Sequence, residues 1–171
     1  MLIFLGLYLV FLLGVMPMLA DPGSNVPPID LAFHYTVDEV YGWIGAYGEA
    51  GRHRYMIGEL TLDVAYPLVY TCLFIGLIGY LIDFQKLIQR STGERKRSLA
   101  WLVILPPFIW LFDMLENVGI VTMLVNFPEV LVPIAKLTAW ATSIKWSLAY
   151  FVIVLTLLLG TRRFVVVLSS K

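Results

Sequence analysis

Two acids and an amide stand within one helical turn of each other in an otherwise apolar run, Phe112-Asp113-Met114-Leu115-Glu116-Asn117. On an α-helix their side chains fall within about 100° of arc, so all three share one face. Two carboxyls that close can divide into an acid and a base, which is the minimum equipment for moving a proton at a bound molecule. An ionised group at the centre of a bilayer costs about 3 kcal/mol on insertion scales, so residues of this kind demand an offsetting partner or a task. Asp113 and Glu116 are therefore the candidate catalytic pair. Pro106 and Trp110 extend their stripe, and the Pro106-Pro107 pair is expected to kink the helix and free backbone carbonyls beside it.

A compensating base is available in the last apolar run, which carries Lys136 and Lys145. Counting along each helix from the basic ends puts Lys145 level with Asp113, at about 21 to 23 Å depth. That predicts an ion pair. Nine residues separate the two lysines, about half a turn of arc, so they cannot both face the acids. The second apolar run adds a stripe of Asp63, Tyr66, Pro67, Tyr70 and Phe74, with Glu59 one turn above Asp63. Asn117, Asp63, Tyr66, Tyr70, Lys145 and Trp110 are the expected walls of a substrate pocket, with Asp113 and Glu116 as its acid and base.

Four apolar stretches are long enough to hold these residues across roughly 30 Å of hydrocarbon: 2–20, 60–82, 99–125 and 130–160. Hydrophobic residues make up 60% of the 171, charged residues 14%, and the mean hydropathy is +0.84, more apolar surface than a soluble core of this length can hide. The expected fold is all-α, a single membrane domain built as a four-helix bundle. The first stretch ends in Met18-Leu19-Ala20 before Asp21, like a signal-peptide cleavage site. However, no Lys or Arg precedes its apolar run, which favours retention as an anchor.

Lys86, Arg90, Arg95, Lys96 and Arg97 in the segment 85–98, with Arg162, Arg163 and Lys171 in the tail, mark both as cytoplasmic by the positive-inside rule. Segment 21–59 carries six acids against Arg52 and Arg54 and is expected on the extracytoplasmic side, giving a multi-pass chain with both termini inside. Within it, Thr36-Val37-Asp38-Glu39 reads as a capping box that starts a short amphipathic helix. Val37, Val40, Tyr41 and Ile44 line its apolar face and Gly48 stops it. Such a helix lies on the bilayer surface or caps the bundle.

The chain also excludes several classes. Twelve basic and twelve acidic residues cancel, so no basic face for nucleic acid is available, and Cys72 alone cannot form an internal disulfide or thiolate cluster. His34 and His53 lack zinc-site spacing, and phosphate-loop, nucleophile-elbow and dinucleotide patterns are missing, so neither a metal nor a cofactor is expected. Membrane lipids and a lipid-like small molecule are the expected partners, with a second copy or a larger membrane complex as further candidates. The leading reading is an enzyme or binding protein for a lipid or isoprenoid-like molecule. The same acids also fit a proton- or ion-coupled transporter, or the interhelical glue of a structural subunit.

Overall fold

The computed structural model describes residues 26–92 and 99–169, helices joined by turns and short irregular segments, without strands among the described residues. The expected span 2–20 and the whole of the basic segment 85–98 lie outside the residues whose side chains are described. Three helices are long and apolar enough to cross a bilayer, within Gly48–Asp83, Ala100–Asn126 and Val132–Arg163, and they mark a membrane protein. Their outward faces carry exposed Leu60, Val64, Leu68, Leu111, Leu115, Val118, Leu137, Val154 and Leu157. Water would penalise so broad an apolar surface, whereas acyl chains solvate it.

A short helix, α1 (Val37–Ala46), starts where the sequence predicts. The Thr36 side chain accepts from the Glu39 amide at 3.3 Å, and Glu39 Oε2 accepts from the Thr36 amide at 2.8 Å, closing the capping box. Val40 and Ile44 are fully buried, so α1 caps the bundle. Tyr41 Oη reinforces this by accepting from the Leu131 amide at 2.7 Å, tying α1 to the turn between the last two helices.

Gly48 ends α1 in the left-handed region, φ +65°, a conformation that costs an L residue roughly 1–2 kcal/mol. It also begins the next helix, α2 (Gly48–Thr92), which starts twelve residues before the expected span. Arg52, His53 and Arg54, in the part of segment 21–59 that precedes the expected span, therefore stand on a helix. Arg52 lies 4.4 Å from the centre of the Phe127 ring and donates to the Ile44 carbonyl at 3.4 Å, a clamp across the capped end.

A 3-10 turn, Ala100–Ile104, leads into α3 (Leu105–Asn126). Pro106 and Pro107 occupy the first turn of α3, where a missing N–H costs nothing, so they start the helix instead of kinking it as expected. The last helix, α4 (Val132–Ser169), packs antiparallel on α3 along the most extensive interface among the described helices. The approach is close: a Cβ placed on Gly119 would come within 2.9 Å of Thr138 Cβ and collide with its hydroxyl. Only glycine at 119 permits it.

Side chains are stacked in three strata. At the capped end Ile29, Tyr35, Val40, Ile44, Tyr55, Ile120, Met123 and Ala139 form one apolar cluster. At the distal end Ile78, Ile82, Leu102, Ile109 and Val152 form another. Between them, at the same level of all three long helices, lie Glu59, Asp63, Asp113, Glu116, Asn117, Thr142 and Lys145.

Candidate functional site in the polar stratum

The acids of α3 turn inward: Glu116 is 0% exposed and Asp113 5%, and both pair with Lys145 of α4, itself 7% exposed. Lys145 Nζ lies 3.0 Å from Asp113 Oδ1 and pairs directly with Glu116 Oε2. Its ammonium thus holds carboxylates from successive turns of α3, as matching the helix depths predicts. Thr142, one turn before, stands 2.7 Å from Glu116 Oε1 and 2.9 Å from the Thr138 carbonyl, its single proton serving one acceptor at a time. The contact depends on Gly119, which lets the Thr138 and Thr142 face of α4 reach α3.

Asn117 has a different task. Pro67 has no N–H, so the carbonyl of Asp63, four residues earlier, loses its helical partner. Asn117 Nδ2 donates to that carbonyl at 3.0 Å, repairing the gap across the interface between α2 and α3. The proline and the asparagine therefore make sense only together.

A cavity of about 260 Å³ opens beside this stratum, lined by Asp30, Asp63, Tyr66, Tyr70, Asp113, Lys145 and Trp146 at one end and by Phe74, Ile109, Ala149 and Ile153 toward the other. Five of the eight predicted site residues, Asp63, Tyr66, Tyr70, Asp113 and Lys145, share this wall. Glu116 and Asn117 sit behind it, and Trp110 lies on the exposed face of α3, apart from the pocket. Lys136 is exposed on the opposite side of α4 from Lys145, in a separate hollow with His34 and Trp140.

Part of the site was not anticipated. The arm before α1 folds over the capped end in a 3-10 turn, Ile29–Leu31, and brings Asp30 into the stratum, buried. Trp146 Nε1 donates to the Asp30 carbonyl at 3.1 Å, and Lys145 Nζ reaches it at 3.5 Å. Tyr55 donates to Asp30 Oδ1 at 2.6 Å and accepts from the Asp30 amide at 3.2 Å. The arm is pinned further by Tyr47, which donates to the Pro27 carbonyl at 2.8 Å, and by the His34 and Ser143 contact at 2.9 Å. Pro27-Pro28 ahead of an Ile-Asp-Leu turn was the available signal, a stiff approach to a buried segment.

One carboxylate oxygen from each of Asp30, Glu59 and Asp63 comes within 4.8 Å of the others. Besides Glu116 Oε2, which is held by the Lys145 ion pair, four buried acceptors or hydroxyls in this region, Tyr35 Oη, Glu59 Oε2, Asp113 Oδ2 and Asn117 Oδ1, have no hydrogen-bond partner among the described groups. Burial of the Tyr35 ring raises its phenol well above the ordinary value, so it stays protonated and can only act as a neutral donor or acceptor.

No protein-family model, characterised protein or solved structure matches this chain. The chemistry of the stratum has to be read from its own residues.

Proposed function

We propose that the chain is a membrane-embedded binding protein or enzyme that takes an amphiphilic molecule, an isoprenoid, sterol or other lipid, and acts on its polar head by proton transfer. The observation that carries this reading is the graded cavity. Acids, phenols and one ammonium line the end nearest the arm, and Phe74, Ile109, Ala149 and Ile153 line the other, matching a molecule with a polar head and an apolar chain.

In this mechanism Asp113 faces the head. Its Oδ1 is held by Lys145 and its Oδ2 is unpartnered, so that oxygen can accept a proton. Lys145 stabilises the negative charge that develops, and the Asp63 carboxyl and the Tyr66 and Tyr70 phenols complete the hydrogen-bonding wall. Glu116, shielded from the cavity, acts through Lys145 as a positioning residue. The topology that accompanies this proposal has both termini and the basic segment 85–98 on the cytoplasmic side, with the arm and α1 facing out.

The test is purification in mild detergent, with native mass spectrometry and lipid extraction for bound molecules. A defined amphiphile should co-purify with the wild-type protein and be lost, or left unturned, in Asp113→Asn. If Asp113→Asn and Glu116→Gln both retained the same bound molecule and the same turnover, the proposal would be abandoned. A second reading draws support from the concentration of carboxyls, Glu59, Asp63, Asp113 and Glu116, in one stratum of the bundle, where they could serve as relay groups of a proton- or ion-coupled transporter. Liposome flux that follows an imposed pH gradient distinguishes it.

A further inference from the structure

We propose that Asp30, Glu59 and Asp63 hold a divalent cation at the capped end of the cavity. The geometry is of the right size: three carboxylate oxygens within 4.8 Å of one another can converge on an ion with metal–oxygen distances of about 2.3–2.6 Å, and with small side-chain movements on a smaller one. An independent observation points the same way. Glu59 is 2% exposed, and its Oε2 has no hydrogen-bond partner among the described groups. An oxygen that deeply buried is left to a counter-charge, a donor or a proton of its own, and a cation shared with Asp30 and Asp63 would satisfy all three acids at once.

Charge bookkeeping strengthens the case. Five carboxyls occupy the stratum, Asp30, Glu59, Asp63, Asp113 and Glu116, and Lys145 is the buried cation among the described residues that faces them. Lys145 is already engaged with Asp113 and Glu116, and it meets Asp30 only at the backbone carbonyl. The remaining three acids come from the arm and from successive turns of α2, and among the described residues none of their carboxylates forms an ion pair, although Lys145 shares the cavity wall with Asp30 and Asp63. In a low-dielectric interior their mutual repulsion has to be relieved, either by protonation or by a positive charge among them, and three converging carboxylate oxygens offer a divalent cation its ligands.

The donors select the kind of ion. All three are hard oxygens, with neither imidazole nor thiolate beside them, which suits Ca²⁺, Mg²⁺ or Mn²⁺ over Zn²⁺ or Cu²⁺. Tyr55, donating to Asp30 Oδ1, orients one ligand from behind in the manner common to metal sites. Because Asp30 lies on the arm and the other two on α2, an ion here would also lock the arm onto the bundle. The site shares Asp63 and the cavity wall with the acid–base proposal, but neither Asp113 nor Glu116 is a ligand, so ion uptake can be tested independently of turnover.

The experiment uses the full chain in nanodiscs of zwitterionic lipid, which does not itself compete strongly for cations. Mn²⁺ is titrated and followed by electron paramagnetic resonance, with Ca²⁺ as competitor and the thermal midpoint as a second readout. We expect saturable uptake of one Mn²⁺ per chain, displacement by Ca²⁺ and a midpoint that climbs with ion concentration. Glu59→Gln and Asp30→Asn should each weaken uptake at least ten-fold, whereas Glu39→Gln on the exposed capping box should not. Where a variant fails to fold, the wild type decides through paramagnetic broadening. Loss of the Trp146 indole resonance, whose N–H contacts Asp30, supports the site. Absence of saturable uptake at millimolar Mn²⁺, uptake that survives in a folded Glu59→Gln, or broadening that spares Trp146 would overturn it.

Discussion

The two ends of this bundle are stabilised in different ways. The distal cluster of Ile78, Ile82, Leu102, Ile109 and Val152 is aliphatic, and nothing in it depends on the orientation of a polar atom. The capped end, with the polar stratum beneath it, is held by directional contacts: a capping box, a proline gap filled by Asn117, a lysine shared by two acids, and an arm pinned through Tyr47, Tyr55 and Trp146. Apolar packing tolerates exchange of one hydrocarbon for another, whereas a buried polar network fails when any member is lost. The distal half is therefore a scaffold that lends the cavity only its apolar wall, and the directional contacts of the site belong to the capped half.

The largest effect is expected from Lys145→Ala, which strips the shared counter-charge from Asp113 and Glu116. Breaking a buried pair from one side costs about 3–5 kcal/mol. Thermal melts in nanodiscs should show the chain close to unfolding. Replacing the whole trio with apolar residues, Lys145→Met with Asp113→Leu and Glu116→Met, should recover most of that stability while abolishing retention of any bound amphiphile. A triple variant as unstable as the single one would contradict the division between scaffold and site.

Gly119→Ala comes next, because its Cβ would collide with Thr138. Overpacking of this kind costs about 1–3 kcal/mol, and Thr138→Ala in the same chain should recover part of it. Asn117→Ala orphans the Asp63 carbonyl, at a cost of about 1–3 kcal/mol. Pro67→Ala should cancel much of that loss, because an alanine there restores the amide that the carbonyl lacks. A double-mutant cycle in which the two substitutions simply add would refute this account of their pairing.

In the distal half, Ile78→Val should cost only about 0.5–1.5 kcal/mol, with bound molecule and ion uptake unchanged. The smallest effect concerns α1. Hydrogen bonds from the Thr36 amide and hydroxyl hold the Glu39 carboxyl below its ordinary value. A carboxyl lowered in the folded state stabilises it above the unfolded value of about 4.3 and loses that contribution as pH falls through the folded value. Protection factors of amides 36–40 should accordingly drop on acidification below about pH 4, ahead of amides around Ile78. Equal loss in both regions would show that α1 does not fray independently.

Much of this was legible in the residues. Apolar runs of the right length announced the long helices, Thr36 and Glu39 announced α1, and rise per residue alone matched Lys145 to Asp113. The half-turn between Lys136 and Lys145 predicted that only one could serve the acids, and Lys145 is that one while Lys136 is exposed. These features are set by local periodicity, and periodicity is written along the chain.

Other features depended on how the helices meet. Trp110 follows the same helical stripe as Asp113, yet α3 is rotated so that the indole is exposed and the carboxylate is not, a choice made by the close contact of Gly119 with Thr138. Pro106 and Pro107 have the composition of a kink and become a helix start because the preceding five residues form a 3-10 turn. Asp30 looked like one of six acids in an exposed segment. Its burial beside Glu59 and Asp63 follows from the arm folding back onto residues 25 to 33 positions later and more than 110 positions later, a closure no local pattern encodes. Helix and depth are one-dimensional properties and were set by the sequence alone, whereas the company each buried charge keeps is three-dimensional and was decided by packing.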